Sequence, residues 1–200
     1  MTSIAPPPSA SSTRRWTAST LAERGSWRRD VPAAVADEFL ALTARRPELT
    51  ADEFEWQPTE LPQLAAFGAR LCDDLLDGYG LCRLRGLAAL GLTPAQQRTF
   101  YFAIGSAIGE PMLQYGRLYP VQDRGKSYTQ EAVPVSMTNS ETCFHTDSSS
   151  IDAIPDFVGL LCEQPSDQGG DSLVSNALRV HDTLRREAPD VLAILSRPWI

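Results

Sequence analysis

Few residues in this chain are equipped for chemistry, since its 200 residues include only two histidines. His145 lies in Thr142-Cys143-Phe144-His145-Thr146-Asp147, with a carboxylate two residues on. On an extended strand, residues i and i+2 point to the same face. An imidazole and a carboxylate on one face are two of the three protein ligands of the facial site of non-haem Fe(II) oxygenases, which leaves further coordination positions open. The same residues also suit a surface histidine hydrogen-bonded near a turn aspartate, and His-x-Asp alone leaves both readings open. His181 follows Asn176-Ala177-Leu178-Arg179-Val180 in a helix-type stretch, where a lone histidine is ordinarily a surface or half-buried residue, so it is not read as a ligand. A zinc hydrolase would require more His or Cys ligands than the chain offers. The four cysteines (Cys72, Cys82, Cys143, Cys162) lack Cys-x-x-Cys spacing and sit among apolar neighbours. They read as reduced, buried, small apolar residues, consistent with a cytoplasmic setting.

The elements that must position these residues fall into three zones. Residues 1–30 begin with Pro, Ser, Thr and Ala and carry five arginines against Glu23 and Asp30, a balance of +3 within a chain of net charge -7. With no apolar h-region it is not a secretory signal, and the composition reads as a disordered tail ahead of a domain over 31–200. Helical periodicity follows at Val35, Phe39 and Leu42, and again at Leu64, Phe67, Leu71 and Leu75, ending at Gly78. Leu81 to Arg85 alternates as a strand would. Thr93-Pro94-Ala95-Gln96 is a capping box that opens a helix through Phe100, Ala103, Ile104 and Ala107. From Met112 short β-like segments predominate, at Leu113–Val121, Val133–Thr138, Phe157–Cys162 and Leu173–Ser175, before two short helical signals near Ala177–Arg186 and Pro189–Ser196. Helices followed by a β-rich region predict an α+β fold with a sandwich or jelly-roll core. The acidic balance argues against a nucleic-acid or anionic-membrane partner, and no apolar run approaches the roughly 18 residues of a membrane span. Among the basic residues Lys126 is the sole lysine, a bias typical of a GC-rich, bacterial genome.

Motif order adds to this reading. Glu141–Ser150 is followed by Pro155-Asp156-Phe157-Val158-Gly159-Leu160-Leu161-Cys162, then by Gly169-Gly170-Asp171-Ser172-Leu173-Val174-Ser175 and a helical stretch. Upstream stand Gly80-Leu81-Cys82-Arg83-Leu84-Arg85-Gly86 and Ile108-Gly109-Glu110-Pro111. This arrangement, over roughly residues 60–200, resembles the TauD/TfdA family of Fe(II)/2-oxoglutarate-dependent dioxygenases. The resemblance implies a double-stranded β-helix (jelly-roll) core, Fe(II) held by His145 and Asp147, and 2-oxoglutarate as cosubstrate, contacted by Ser172 where a Thr is commoner. It also implies a hydroxylase-type oxidation of a small molecule by O₂, an amino acid being one candidate. Because Asp147 is present, hydroxylation or oxidative cleavage is expected rather than halogenation. Counting back by twos, Glu141 and Asn139 share the His145 face of a regular strand and become substrate-facing candidates. A carboxylate there would favour a cationic substrate group, or an internal partner such as Arg83 or Arg117.

The family's second iron-binding His and the Arg that anchors 2-oxoglutarate stand well downstream of the Gly-Gly motif, whereas this sequence closes at Arg197-Pro198-Trp199-Ile200. The expectation is therefore an N-terminal portion of a dioxygenase with only a partial jelly roll, a fragment with little activity alone. The alternative is a non-catalytic truncated β-domain or pseudoenzyme acting as a binding module.

Overall fold

The computed structural model describes residues 12–126, 133–147 and 154–198. Residues 1–11 of the expected tail, Ser148–Ser150 of the His-x-Asp motif, and Trp199 and Ile200 lie outside the described residues.

Three helices make the core. α2 (Ala33–Arg45), α3 (Pro62–Asp77) and α4 (Pro94–Ile108) bury Val35, Phe39, Leu42, Leu64, Phe67, Leu71, Phe100, Ala103 and Ile104. These are the positions picked out by the 3.6-residue period, because only one stripe of each helix can leave water. The Phe39 and Phe100 rings stack with centroids 4.3 Å apart, and Phe54 meets Phe102 edge-on at 6.3 Å. Gly68 lets α3 approach α4: a Cβ there would lie 2.4 Å from both the Cβ and the carbonyl oxygen of Ala107. α4 starts at the expected capping box, with Thr93 and Gln96 satisfying each other's backbone N–H. α3 has no such cap of its own. Glu38 on α2 serves instead, its carboxylate accepting from the backbone N–H of Gln63 at 3.0 Å and of Leu64 at 2.8 Å.

Residues 12–30 of the segment expected as a tail carry regular structure. From Ser12 the chain forms a 3-10 turn, α1 (Ala18–Arg24) and β1 (Arg28–Asp30). β1 pairs in parallel with β2 (Arg83–Arg85), and these two strands are the whole sheet among the described residues. Trp16 is buried and its indole N–H donates to the Tyr79 carbonyl at 2.8 Å. Two of the five arginines that gave this segment its tail-like charge are paired with acids of the body: Arg29 with Asp74 at 2.7 Å, and Arg15 with Asp182.

The β-like second half also differs from expectation. Residues 113–121, 157–162 and 173–175 are irregular and largely exposed, and 135–137 is a 3-10 turn. The fold is α+β with few strands, and a jelly-roll sheet is absent among the described residues. Alternation marks a capacity to pair, but a strand also needs a partner for its N–H and C=O groups. Segments 122–124 and 136–137 approach this, with Gln122 N donating to Ser136 O at 3.1 Å and Arg124 N to Met137 O at 3.0 Å. α5 (Ala177–Glu187) and α6 (Pro189–Leu195) follow, as the sequence suggests. All four cysteines are free, but none is buried: Cys72 and Cys82 are half-buried, and Cys143 and Cys162 are exposed. Among the described residues no helix is long and apolar enough to cross a membrane.

Candidate functional site

His145 and Asp147 come together, though not on a strand. Residues 139–147 are irregular, with a bend at Phe144 and a turn at Asp147. The bend brings His145 Nε2 to 3.3 Å from Asp147 Oδ1, each side chain being 51% exposed.

The imidazole is oriented by its other nitrogen. Nδ1 lies 2.8 Å from the Cys143 carbonyl oxygen, and because a carbonyl only accepts, the proton resides on Nδ1. With Nδ1 donating to a backbone carbonyl, as the second nitrogen of a metal-binding histidine commonly does, Nε2 is the nitrogen left for a ligand; without one it stands at hydrogen-bonding reach of Asp147. The Cys143 hydrogen bond raises the His145 pKa above its ordinary value, with desolvation opposing and the Asp147 charge adding to the rise.

Two donors at this separation suit a metal ion. With bonds of about 2.0–2.2 Å meeting at a right angle, neighbouring donors stand about 3 Å apart. The observed 3.3 Å is close to that bite. Among the described residues no group of three or more His, Cys, Asp or Glu side chains gathers around a common point, so the pair supplies two donors without a third.

The other candidates stand apart from this pair. Glu141 and Asn139 are exposed, and the alternation used to place them beside His145 is interrupted where Ser140 N donates to Thr138 Oγ1 at 3.2 Å. Ser172 is exposed and, among the described residues, makes no hydrogen bond to His145 or Asp147. It follows Gly169 and Gly170, whose φ angles of 73° and 74° are those a two-glycine hairpin turn requires. His181 lies on α5, where it neighbours Asp182 at 3.8 Å. Arg117, named from sequence as a possible partner of Glu141, engages Phe54, Glu55 and Phe102 instead, and the long-range partners of Arg15, Arg29 and Arg98 leave no local signal.

Comparison with known proteins agrees with the motif order. Residues 42–200 match the family described as "Taurine catabolism dioxygenase TauD, TfdA family". Among curated proteins, FR-33289 synthase of Streptomyces rubellomurinus (strain ATCC 31215) is 26% identical over 185 residues, covering 90% of this chain and 53% of that protein. The chain thus spans about half the length of the curated relative it matches. No solved structure gives a significant match.

Proposed function

Because the chain belongs to the TauD, TfdA family, we propose that it contributes the His-x-Asp part of an Fe(II)/2-oxoglutarate-dependent dioxygenase that oxidises a small molecule. The observation that carries this reading is the His145–Asp147 pair, with Nδ1 engaged by the Cys143 carbonyl and Nε2 standing 3.3 Å from a carboxylate oxygen. His145 and Asp147 would hold the metal. When bound, iron with 2-oxoglutarate and O₂ supplies an oxidant for an unactivated C–H bond, chemistry that protein side chains lack.

The chain's own part is donation and orientation. The Cys143 carbonyl keeps the proton on Nδ1, and Asp147 provides an anionic oxygen beside Nε2. Ser172 is assigned to the cosubstrate carboxylate, supported by its place after Gly169-Gly170-Asp171, with a hydroxyl able to donate to that oxygen. Glu141 and Asn139, exposed ahead of the pair, are assigned to substrate, with Glu141 suited to an amine or guanidine. The exposed apolar side chains of 157–161 and 173–174, Leu160 at 75% and Leu173 at 72% exposed among them, fit segments that become jelly-roll strands in a longer protein. On this reading the 200 residues alone have little dioxygenase activity.

Anaerobic titration of the chain with Fe(II), with and without 2-oxoglutarate, tests the assignment by metal retained after dialysis. His145→Ala and Asp147→Ala should each reduce affinity at least ten-fold, more than the roughly ten-fold floor for losing an outer-shell partner. Full retention by both variants refutes the reading.

A further inference from the structure

The His145–Asp147 pair lies in the irregular stretch between α4 and α5, interrupted by one 3-10 turn among the described residues. Without a ladder beneath it, such a stretch takes its position from tertiary contacts. Those contacts converge on one face of α4. Arg98, Tyr101 and Phe102 stand at i, i+3 and i+4, neighbours on a helix surface.

Upstream of the pair, the Arg117 guanidinium lies over the Phe102 ring, 5.0 Å from its centroid. It also donates to the Phe54 carbonyl at 2.5 Å and to Glu55 at 3.1 Å. From this anchor the chain runs to 119–124, which meets 136–137: the Tyr119 and Ser136 hydroxyls are 3.2 Å apart, beside the two backbone bonds described above. The Thr138 hydroxyl then accepts from Ser140 N, five residues short of His145. Downstream of the pair, Arg98 donates through Nε at 2.5 Å and Nη2 at 2.7 Å to the two oxygens of Glu163. Gly159 lies against Tyr101 so closely that a Cβ would stand 2.7 Å from the tyrosine hydroxyl.

We propose that Arg98 and Arg117 are positioning residues for the His145–Asp147 pair, fastening its downstream and upstream flanks to the same face of α4. The proposal rests on the reading of His145 and Asp147 as metal donors. An exposed ion pair contributes little to global stability, whereas a two-point fork fixes direction. Its loss should therefore show in metal affinity before it shows in melting.

The probe is Mn(II), titrated into the 200-residue chain and its variants, with melting temperature recorded in parallel. Arg98→Ala and Arg117→Lys should each weaken Mn(II) binding by about ten-fold, the scale of losing an outer-shell support. The charge-swapped pair Arg98→Glu with Glu163→Arg should recover most of the loss. If Asp147→Ala loses Mn(II) while both arginine variants bind as the parent does, positioning is overturned and the donor reading stands. If Asp147→Ala binds as the parent does, the donor reading is overturned and the proposal with it. Amide hydrogen exchange in the metal-free chain supplies a second measurement: residues 154–163 should exchange faster in Arg98→Ala, and 133–147 in Arg117→Lys. Unchanged exchange in both variants overturns the fastening.

Discussion

Trp16→Ala asks whether the N-terminal segment is part of the folded body. Trp16 is 7% exposed, and an aromatic side chain of this kind buries about 150–250 Å². At about 25 cal/mol per Å² that corresponds to about 4–6 kcal/mol. A compact unfolded chain already hides part of this area, which lowers the figure by about a quarter, to about 3–5 kcal/mol. Measured Phe and Trp truncations in cores fall in the same range of about 3–5 kcal/mol. For a chain of this size each kcal/mol moves the melting temperature by about 2–4 °C, so the expected drop is roughly 6–20 °C. Trp16→Phe keeps most of the packing and removes only the indole donor to Tyr79, for a loss of about 1 kcal/mol. Thermal and urea unfolding followed by far-UV circular dichroism measure both. If Trp16→Ala melts within about 2 °C of the parent, less than 1 kcal/mol is lost and the segment is not packed as described.

Three further outcomes follow from particular contacts. Glu38→Ala removes the carboxylate that accepts from two N–H groups at the start of α3, and should cost about 1–2 kcal/mol in urea unfolding; an unchanged midpoint counts against the cap. Gly68→Ala drives a Cβ into the Ala107 backbone and should cost about 1–3 kcal/mol, whereas Gly105→Ala on the open side of α4 should be neutral or stabilising. Arg98 lowers the Glu163 pKa by hydrogen bond and charge, and Arg15 does the same for Asp182. A carboxylate with a depressed folded pKa contributes in full above its unfolded value and loses that contribution as pH falls through the folded one. Stability should therefore be flat in these two groups from neutral pH down to their ordinary values of 4.5 and 3.8, and should decline below them. Glu163→Gln and Asp182→Asn should flatten that acid limb in urea midpoints taken across the range, and a steeper limb in either variant contradicts the pairing.

What the sequence showed of the fold depended on how local the cause was. The period of Val35, Phe39 and Leu42, the stripe ending at Leu75, and the Thr93 capping box are each written within one or two turns, and α2, α3 and α4 stand where those signals place them. The Glu38 cap is not legible, because its donors lie 25 and 26 residues away. The character of residues 12–30 poses a related difficulty. Composition cannot distinguish an arginine facing water from one facing Asp74 or Asp182. The β-like segments failed in the opposite direction: their alternation is real, but pairing is a property of two segments, and for 157–162 and 173–175 no partner strand lies among the described residues. At the candidate site the residue types and spacing of His145 and Asp147 were visible. The bend at Phe144 that brings their polar atoms to 3.3 Å, and the Cys143 carbonyl that orients the ring, were not.

The arginine bias, read from sequence as a trace of genome composition, has a structural use that does not depend on its origin. Long-range ties between separate parts of the chain repeatedly employ a guanidinium: Arg15 to Asp182, Arg29 to Asp74, Arg98 to Glu163, and Arg117 to Phe54, Glu55 and Phe102. Arg29 engages its acceptor through Nε at 3.1 Å and Nη2 at 2.7 Å, and Arg98 uses the same pair of nitrogens. A planar fork approaches a carboxylate along one direction and can at the same time lie flat on a ring; an ammonium does neither. Where the described residues of the second half have little sheet to set their course, direction matters more than charge. Lysine at these positions preserves the charge and gives up the direction, and for that reason it is the informative substitution at Arg117, where stacking and two acceptors coincide.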